Sequence, residues 1–152
     1  MSRPSISDLE AHLGYWLRFV SNHVSLGFKR AVEAEGVTVA EWVALRRLYD
    51  VERSSPSDLA SRMGMTRGAV SRLVERLVGK KLVSRAASPD DGRAQIIALT
   101  DHGRRLVPRL AGIADRNDAR FFAHLSTQES RIVMDVMRKT VRFHGLTSLP
   151  VD

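Results

Sequence analysis

The chain contains no cysteine, and this absence excludes disulfide bonds, thiolate zinc sites, iron–sulfur clusters and thiol-based redox sensing. It also has no apolar run near the roughly 18 residues that a membrane span requires, and no basic amino-terminal segment followed by a hydrophobic one. We therefore expect a soluble, cytoplasmic protein with no membrane partner. The 152 residues, 43% of them hydrophobic, suffice for one compact domain with helical extensions.

Motifs of catalysis and metal binding are missing as well. The five histidines show no close metal-ligand spacing, and the chain has no phosphate loop, G-x-S-x-G turn or H-E-x-x-H helix. Asp90 and Asp91 are adjacent in a predicted turn, so they cannot flank a substrate as a separated acid and base. We therefore expect no enzyme, no catalytic residue, no cofactor and no metal site.

What the chain does have is positive charge, concentrated in its middle third. The net charge is +7. Residues 53–105 hold eleven Lys or Arg and five Asp or Glu, a net of +6, which leaves +1 for the rest of the chain. This distribution predicts that the middle third is attracted to a polyanion.

Four capping boxes predict helix starts, because a Ser or Thr side chain can accept from a backbone N–H three residues on while an acidic residue there reaches back. The pairs are Ser7 with Glu10, Thr38 with Glu41, Ser55 with Asp58, and Ser126 with Glu129. Apolar spacing extends the first helix over about residues 8–34, a length of about 40 Å. A compact domain of this size cannot cover such a helix alone, so we expect part of it to pack on a second chain.

The middle of the chain has the order of a helix-turn-helix followed by a β-hairpin. Helices are predicted over residues 39–50, 56–63 and, after a turn at Gly64, 67–80. The last of these carries an apolar stripe: Val70, Leu73, Val74, Leu77 and Val78. Residues 82–86 and 94–99 predict two strands joined by a Ser-Pro-Asp-Asp-Gly turn. Thr100 then caps a long helix, and one more helix follows.

The polar side of the 67–80 helix offers the residue types that read DNA. Arginine can donate two hydrogen bonds to guanine, hydroxyls bind bases or phosphates, and a glycine permits close approach of the helix to DNA. The candidates near the amino end are Thr66, Arg67, Gly68, Ser71 and Arg72. Arg76 and Lys80 follow as expected contacts to the phosphate backbone, which position rather than specify.

The hairpin is a second candidate reading element. A β-turn that carries Arg93 is slim enough for a minor groove roughly 6 Å wide. An acid near phosphate is unfavourable unless it is paired, so Asp91 is expected to pair with an arginine, most simply Arg93, and to hold that side chain in an extended orientation.

Residues 57–103 resemble the MarR family of bacterial regulators. The resemblance rests on Asp58-Leu59-Ala60, the stretch 66–77, Leu82-Val83-Ser84-Arg85, and Asp91-Gly92-Arg93 followed by Leu99-Thr100 and Gly103. The last group is similar to the family's wing signature, Asp-x-Arg and then Leu-Thr-x-x-Gly. Two positions depart from it: Gly92 stands where a basic residue is common, and Lys81 where glycine is usual.

The resemblance implies a mainly α fold with a small β-hairpin wing, in which a winged helix-turn-helix is joined to dimerisation helices. Residues 1–36 and 104–152 would form the dimer, and residues 37–103 the DNA-binding lobe. The fourth helix, residues 67–80, would enter the major groove of double-stranded DNA. The wing would enter the minor groove, and Arg85 would belong to its DNA contacts. Most family members are repressors released by a small, often aromatic and anionic effector. Trp16 and Trp42 are candidates for an effector pocket, with a core position as the alternative reading.

Two other functions stay open at this point. A basic architectural protein would coat DNA and discriminate little between an operator and a random duplex, against roughly a thousandfold or more for a specific regulator. A helical adaptor would use the winged helix to bind protein, and it would fail to bind its own upstream DNA at low salt.

Overall fold

The computed structural model describes residues 5–147, which form a mainly helical fold with one small antiparallel sheet, as the sequence predicts. In chain order the elements are α1 (Leu13–Glu33), α2 (Val39–Tyr49), α3 (Pro56–Met63), α4 (Arg67–Gly79), β1 (Val83–Ala87), β2 (Gln95–Leu99), α5 (Asp101–Phe122) and α6 (Thr127–His144). A 3-10 helix, Leu9–Ala11, precedes α1. Among these residues, no helix combines the length and the apolar character that crossing a membrane demands.

The start of α1 differs from the prediction. Extended backbone at His12 separates the 3-10 helix from α1, and neither of these helices has a side-chain cap. The predicted Ser7–Glu10 capping box is therefore wrong, and the α-helix begins at Leu13 rather than near residue 8. The carbonyl oxygen of Glu10 instead accepts a hydrogen bond of 2.9 Å from the indole Nε1 of Trp16.

The other predicted helix starts are confirmed. Thr38 and Glu41 form both halves of a capping box at α2. At α3 and α6 the side chains of Ser55 and Ser126 accept from the backbone N–H three residues on. These caps satisfy N–H groups that a helix leaves without an internal partner, so each fixes where its helix begins.

The helices α2, α3 and α4 close around one hydrophobic core, to which β2 and the first half of α5 contribute. The largest fully buried apolar side chains are Leu45, Leu48, Leu59, Leu73, Leu77, Ile97 and Leu110. Val78 was predicted to belong to this stripe, but it is 38% exposed. Its position at the edge of the stripe, one residue before α4 ends, explains the difference.

The wing, which we define as β1, β2 and the loop between them, is anchored at its base. β1 pairs with β2 from Val83 opposite Leu99 to Ala87 opposite Gln95. Ser54 adds a bridge to the centre of β2, since its backbone exchanges two hydrogen bonds of 2.8 Å with Ile97. The wing is therefore part of the lobe rather than a free hairpin.

The amino end of α5 lies against the chain that enters the wing. The Thr100 hydroxyl donates to the Lys81 carbonyl at 2.7 Å, and a Cβ on Gly103 would stand 2.1 Å from the Leu82 carbonyl oxygen. Only glycine fits this approach. Lys81 itself has φ +60°, the left-handed conformation that glycine adopts at no cost, so the chain tolerates a lysine in that turn.

Candidate nucleic-acid interface

The helix α4, which we call the reading helix, divides into a buried and an exposed side as predicted. Val70, Leu73, Val74 and Leu77 are at most 1% exposed. The opposite side is exposed and carries Arg67, Gly68, Ser71, Arg72 and Arg76. Thr66 caps the helix, its hydroxyl accepting from the backbone N–H of Ala69 at 3.2 Å. The packing of the apolar stripe thus forces the predicted candidates outward.

Two arginines of this surface, and two of the wing, keep their charge available. Within residues 5–147, Arg67, Arg72, Arg85 and Arg93 make no ion pair with an acidic side chain. An arginine that is already paired with a carboxylate must break that pair before it binds phosphate or a base edge. These four guanidinium groups have no such cost, which suits them to a polyanion.

Gly68 leaves open space at the amino end of the reading helix. A Cβ built there would meet only the Arg72 Nη1 atom, at an ordinary contact distance of 3.8 Å. Nothing within the described chain requires glycine at this helical position. The open space is what the predicted close approach of this helix end to DNA needs.

The wing brings Arg85 and Arg93 together. Both line one shallow hollow of about 240 Å³ on the face of the hairpin. The predicted ion pair between the Asp91 and Arg93 side chains is not formed: Asp91 Oδ1 accepts from the Arg93 backbone N–H at 3.0 Å instead. A carboxylate can accept from a backbone N–H two residues further along without ordering a long side chain. This local hydrogen bond therefore forms in preference to the ion pair with the Arg93 guanidinium.

Arg76 and Lys80 have partners inside the protein. The Lys80 Nζ atom lies 2.7 Å from Glu41 Oε2 and 2.8 Å from the Gly36 carbonyl oxygen, and Arg76 Nε lies 3.5 Å from Glu41 Oε1. Glu41 is 1% exposed. The sequence identified Glu41 as a helix cap but gave no sign that it is a buried carboxylate.

The two tryptophans lie apart. Trp16 is 46% exposed near the start of α1, whereas Trp42 packs on the core with its ring edge-on to Phe28, centroids 6.4 Å apart. A cleft of about 410 Å³ opens elsewhere, between α1 and α5. Its lining includes His23, Arg30, Arg120 and Phe121, and neither tryptophan.

Comparison with known proteins identifies the fold and the family. The sequence model of the MarR family matches residues 35–94. An HTH-type transcriptional repressor of Mycobacterium tuberculosis is 30% identical over 130 residues, which cover 86% of this chain and 94% of the relative. The HTH-type transcriptional regulator YdgJ of Bacillus subtilis is 28% identical over 135 residues, 89% of this chain and 80% of the relative.

Solved structures agree. The structure of S. aureus MepR in complex with DNA superposes with a TM-score of 0.76 at 25% identity, covering 86% of this chain and 97% of that one. Bordetella bronchiseptica BpsR, whose DNA binding is regulated by 6-hydroxynicotinic acid, gives 0.75 at 24% identity, with coverages of 90% and 97%. At that identity the second likeness shows the fold alone. The sequence, the fold and these relatives together show that the chain belongs to the MarR family of winged helix-turn-helix transcriptional regulators and is not an enzyme.

Proposed function

We propose that the protein is a homodimeric, cytoplasmic repressor that binds a pseudo-palindromic operator and is released by a small effector. The half-sites of such an operator lie about one helical turn, 10 to 10.5 bp, apart. Residues 37–103 form the DNA-binding lobe in this proposal, and the segments 1–36 and 104–152 form the dimer.

One observation carries the DNA-binding part: the reading helix and the wing both project arginines that no carboxylate of residues 5–147 neutralises. On the reading helix these are Arg67 and Arg72, the end that meets base edges in a helix-turn-helix. On the wing they are Arg85 and Arg93, which share one hollow. A reading helix for the major groove and an Arg-bearing hairpin for the minor groove fit one duplex.

The dimer rests on apolar faces at both ends of the chain. In α1, Leu13 is 72% and Leu17 52% exposed, and in α6 Val133 is 44% and Met137 42% exposed. Monomers in water rarely leave contiguous apolar faces of this kind open. A second copy of the chain would cover them and would hold two reading helices at a fixed separation.

The effector part rests on the cleft between α1 and α5. Arg30, Arg120 and His23 supply cationic or hydrogen-bonding groups there, and the Phe121 ring supplies an apolar wall. An aromatic carboxylate matches this lining, because its ring packs on the phenyl group while its charge pairs with a guanidinium. The 6-hydroxynicotinic acid that regulates BpsR is a compound of that chemical class.

Selection of bound sequences from a random duplex pool tests the proposal, with a second round in the presence of aromatic carboxylates. We expect a two-fold symmetric motif to be enriched, and its recovery to fall when an effector is present. Binding to the pool without enrichment of any motif would favour a DNA-coating protein. Absence of binding even at low salt, where electrostatic attraction is strongest, would favour a protein-binding adaptor.

A further inference from the structure

The Glu41 carboxylate is the only acidic or basic side chain of residues 5–147 that is buried, at 1% exposure. Its Oε2 atom lies 3.3 Å from the backbone N–H of Thr38, which closes the capping box of α2. At α6, Glu129 stands in the corresponding position and is exposed, so this position of a helix is not buried as a rule. The burial of Glu41 comes from the elements that meet around it.

Lys80 joins three elements through this carboxylate. Its ammonium donates to Glu41 at 2.7 Å, on the first turn of α2, and to the carbonyl oxygen of Gly36 at 2.8 Å, just after α1. Lys80 is the C-cap residue, directly after the last residue of the reading helix. The pair therefore ties the end of the reading helix to the turn by which α1 enters the lobe.

The residue that follows Lys80 contacts the chain at the base of the wing. Lys81, the next residue, turns the chain with φ +60°, and its carbonyl oxygen accepts from the Thr100 hydroxyl at 2.7 Å. Residues 80 and 81 thus connect the end of the reading helix directly to the start of the wing. Both elements that face DNA in the proposed function start or end at this point.

Stability alone does not require such a pair. Removing Lys80 alone would leave the buried Glu41 carboxylate with only the more distant Arg76, at 3.5 Å, and losing a partner of a buried ion pair is strongly destabilising. Replacing the charged partners by well-packed apolar side chains of similar size is often neutral. Glutamine at position 41 keeps an oxygen that can accept from Thr38, so the capping box survives the replacement. A role in folding and a role in placing the reading helix can therefore be separated by experiment.

We propose that Glu41 and Lys80 are positioning residues, which lock the reading helix and the wing to the end of α1 so that the dimer sets where both elements meet DNA. The inference rests on the proposed function as a dimeric operator-binding protein. In this view Lys80 supports operator binding through Glu41, and not through the phosphate contact that the sequence suggests.

The first test uses Lys80→Met and the salt dependence of operator binding. A lysine that neutralises one phosphate contributes about 0.9 to the slope of log K against log salt concentration. We expect the slope to stay at the wild-type value while operator affinity falls by about tenfold or more, the scale of a lost specific contact. A slope lowered by about one unit would overturn the inference, because Lys80 would then bind phosphate.

The second test uses the double variant Glu41→Gln with Lys80→Met. We expect it to melt close to the wild type and above Lys80→Met alone, yet to keep a preference for operator over random duplex that is at least about tenfold reduced. The matched control is Glu33→Gln with Lys29→Met, an exposed Glu–Lys pair of α1 with its atoms 3.9 Å apart. The control should leave both the melting temperature and the operator preference unchanged.

The outcomes separate the two proposals. A wild type that prefers its operator, with a double variant that keeps the full preference, overturns the positioning role and leaves the proposed function intact. A wild type with no preference for any duplex overturns the proposed function and this inference with it. Loss of preference in the control pair to the same degree as in the double variant also counts against a specific role of Glu41 and Lys80.

Discussion

Residues 37–103, the proposed DNA-binding lobe, and the two end helices, α1 and α6, differ in how completely the chain covers their apolar side chains. In the lobe, leucines such as Leu45, Leu59 and Leu73 are at most 1% exposed. In α6 no residue is buried, and in α1 only Val32 is. The lobe buries its apolar side chains in a core that Val32 of α1 and the first half of α5 complete, whereas α6 and most of α1 carry apolar faces that need something else to cover them.

This difference indicates which part of the chain presents the reading helix and which part is available for association with a second chain. A lobe with its own core can present the reading helix rigidly, since each arginine stands on a helix whose opposite side is fully packed. No residue of α6 is buried, and α1 contributes to the core only through its last turns, so the exposed apolar residues of both helices are free to specify association. The following predictions are ordered from the largest expected effect to the smallest.

Val133→Asp tests the end helices. If a second chain covers α6, the new carboxylate is buried without a partner, and we expect dimerisation to weaken by about 3 kcal/mol or more, roughly a hundredfold. Sedimentation velocity over a concentration series measures the dissociation constant. Gln128→Asp, on the polar side of α6, is the control and should leave it unchanged. Equal dimer fractions for the two variants would contradict a dimer built on this face.

Gly103→Ala tests the closed packing of the lobe. The added Cβ meets backbone, the Leu82 carbonyl oxygen at 2.1 Å, so α5 or the wing must move, at a cost of about 2 to 3 kcal/mol. Denaturant unfolding measures the loss. In the control Gly112→Ala, in the same helix, the new Cβ meets only the flexible end of Arg116, at 3.2 Å. If the two variants were equally stable, the account of the α5–wing junction would be wrong.

Arg72→Ala tests the reading helix without touching the core. We expect operator affinity to fall by about 1 to 3 kcal/mol and the sequence preference to relax, because an exposed, unpaired guanidinium is lost at the end that meets base edges. Competition binding with operator and random duplex measures both effects. Arg131→Ala on α6 removes the same charge away from the lobe. A loss that is identical on both duplexes would reassign Arg72 to the phosphate backbone.

Gly68→Ala is expected to change stability and operator affinity in opposite directions. The protein has room for the methyl group, and alanine at a compatible backbone position reduces the conformational entropy of the unfolded chain, so stability should rise by about 0.4 to 1 kcal/mol. Operator affinity should fall, because the methyl group stands where the helix end approaches DNA. Gly79→Ala, at the other end of the reading helix with nothing near its Cβ, should leave affinity unchanged. If both variants bound the operator as the wild type does, the hypothesis that the helix approaches DNA closely at position 68 would be wrong.

The features that the sequence predicted are the ones set by neighbours along the chain. The Thr38–Glu41 capping box, the outward side of the reading helix and the strands that flank the turn all depend on residues a few positions apart. Periodicity and capping therefore placed the reading helix to within one residue, ending at Gly79 rather than residue 80. The family and the fold followed from the same segment.

The features that it missed depend on competition or on distance. The Ser7 cap is absent where the chain forms a short 3-10 helix and then an extended residue before α1, and the Asp91 carboxylate accepts from a nearby backbone N–H instead of pairing with a side chain. The contact between Glu41 and Lys80 spans 39 positions. No local pattern could reveal it, because it exists only after α2 and the reading helix have packed together.

The most direct test of the account is the composition of the complex on a selected operator, measured by native mass together with hydroxyl-radical footprinting. The account predicts two chains on one duplex, with two symmetric sets of protected positions about one helical turn apart on the same side of the DNA. One chain per duplex, or protection without two-fold symmetry, would contradict it.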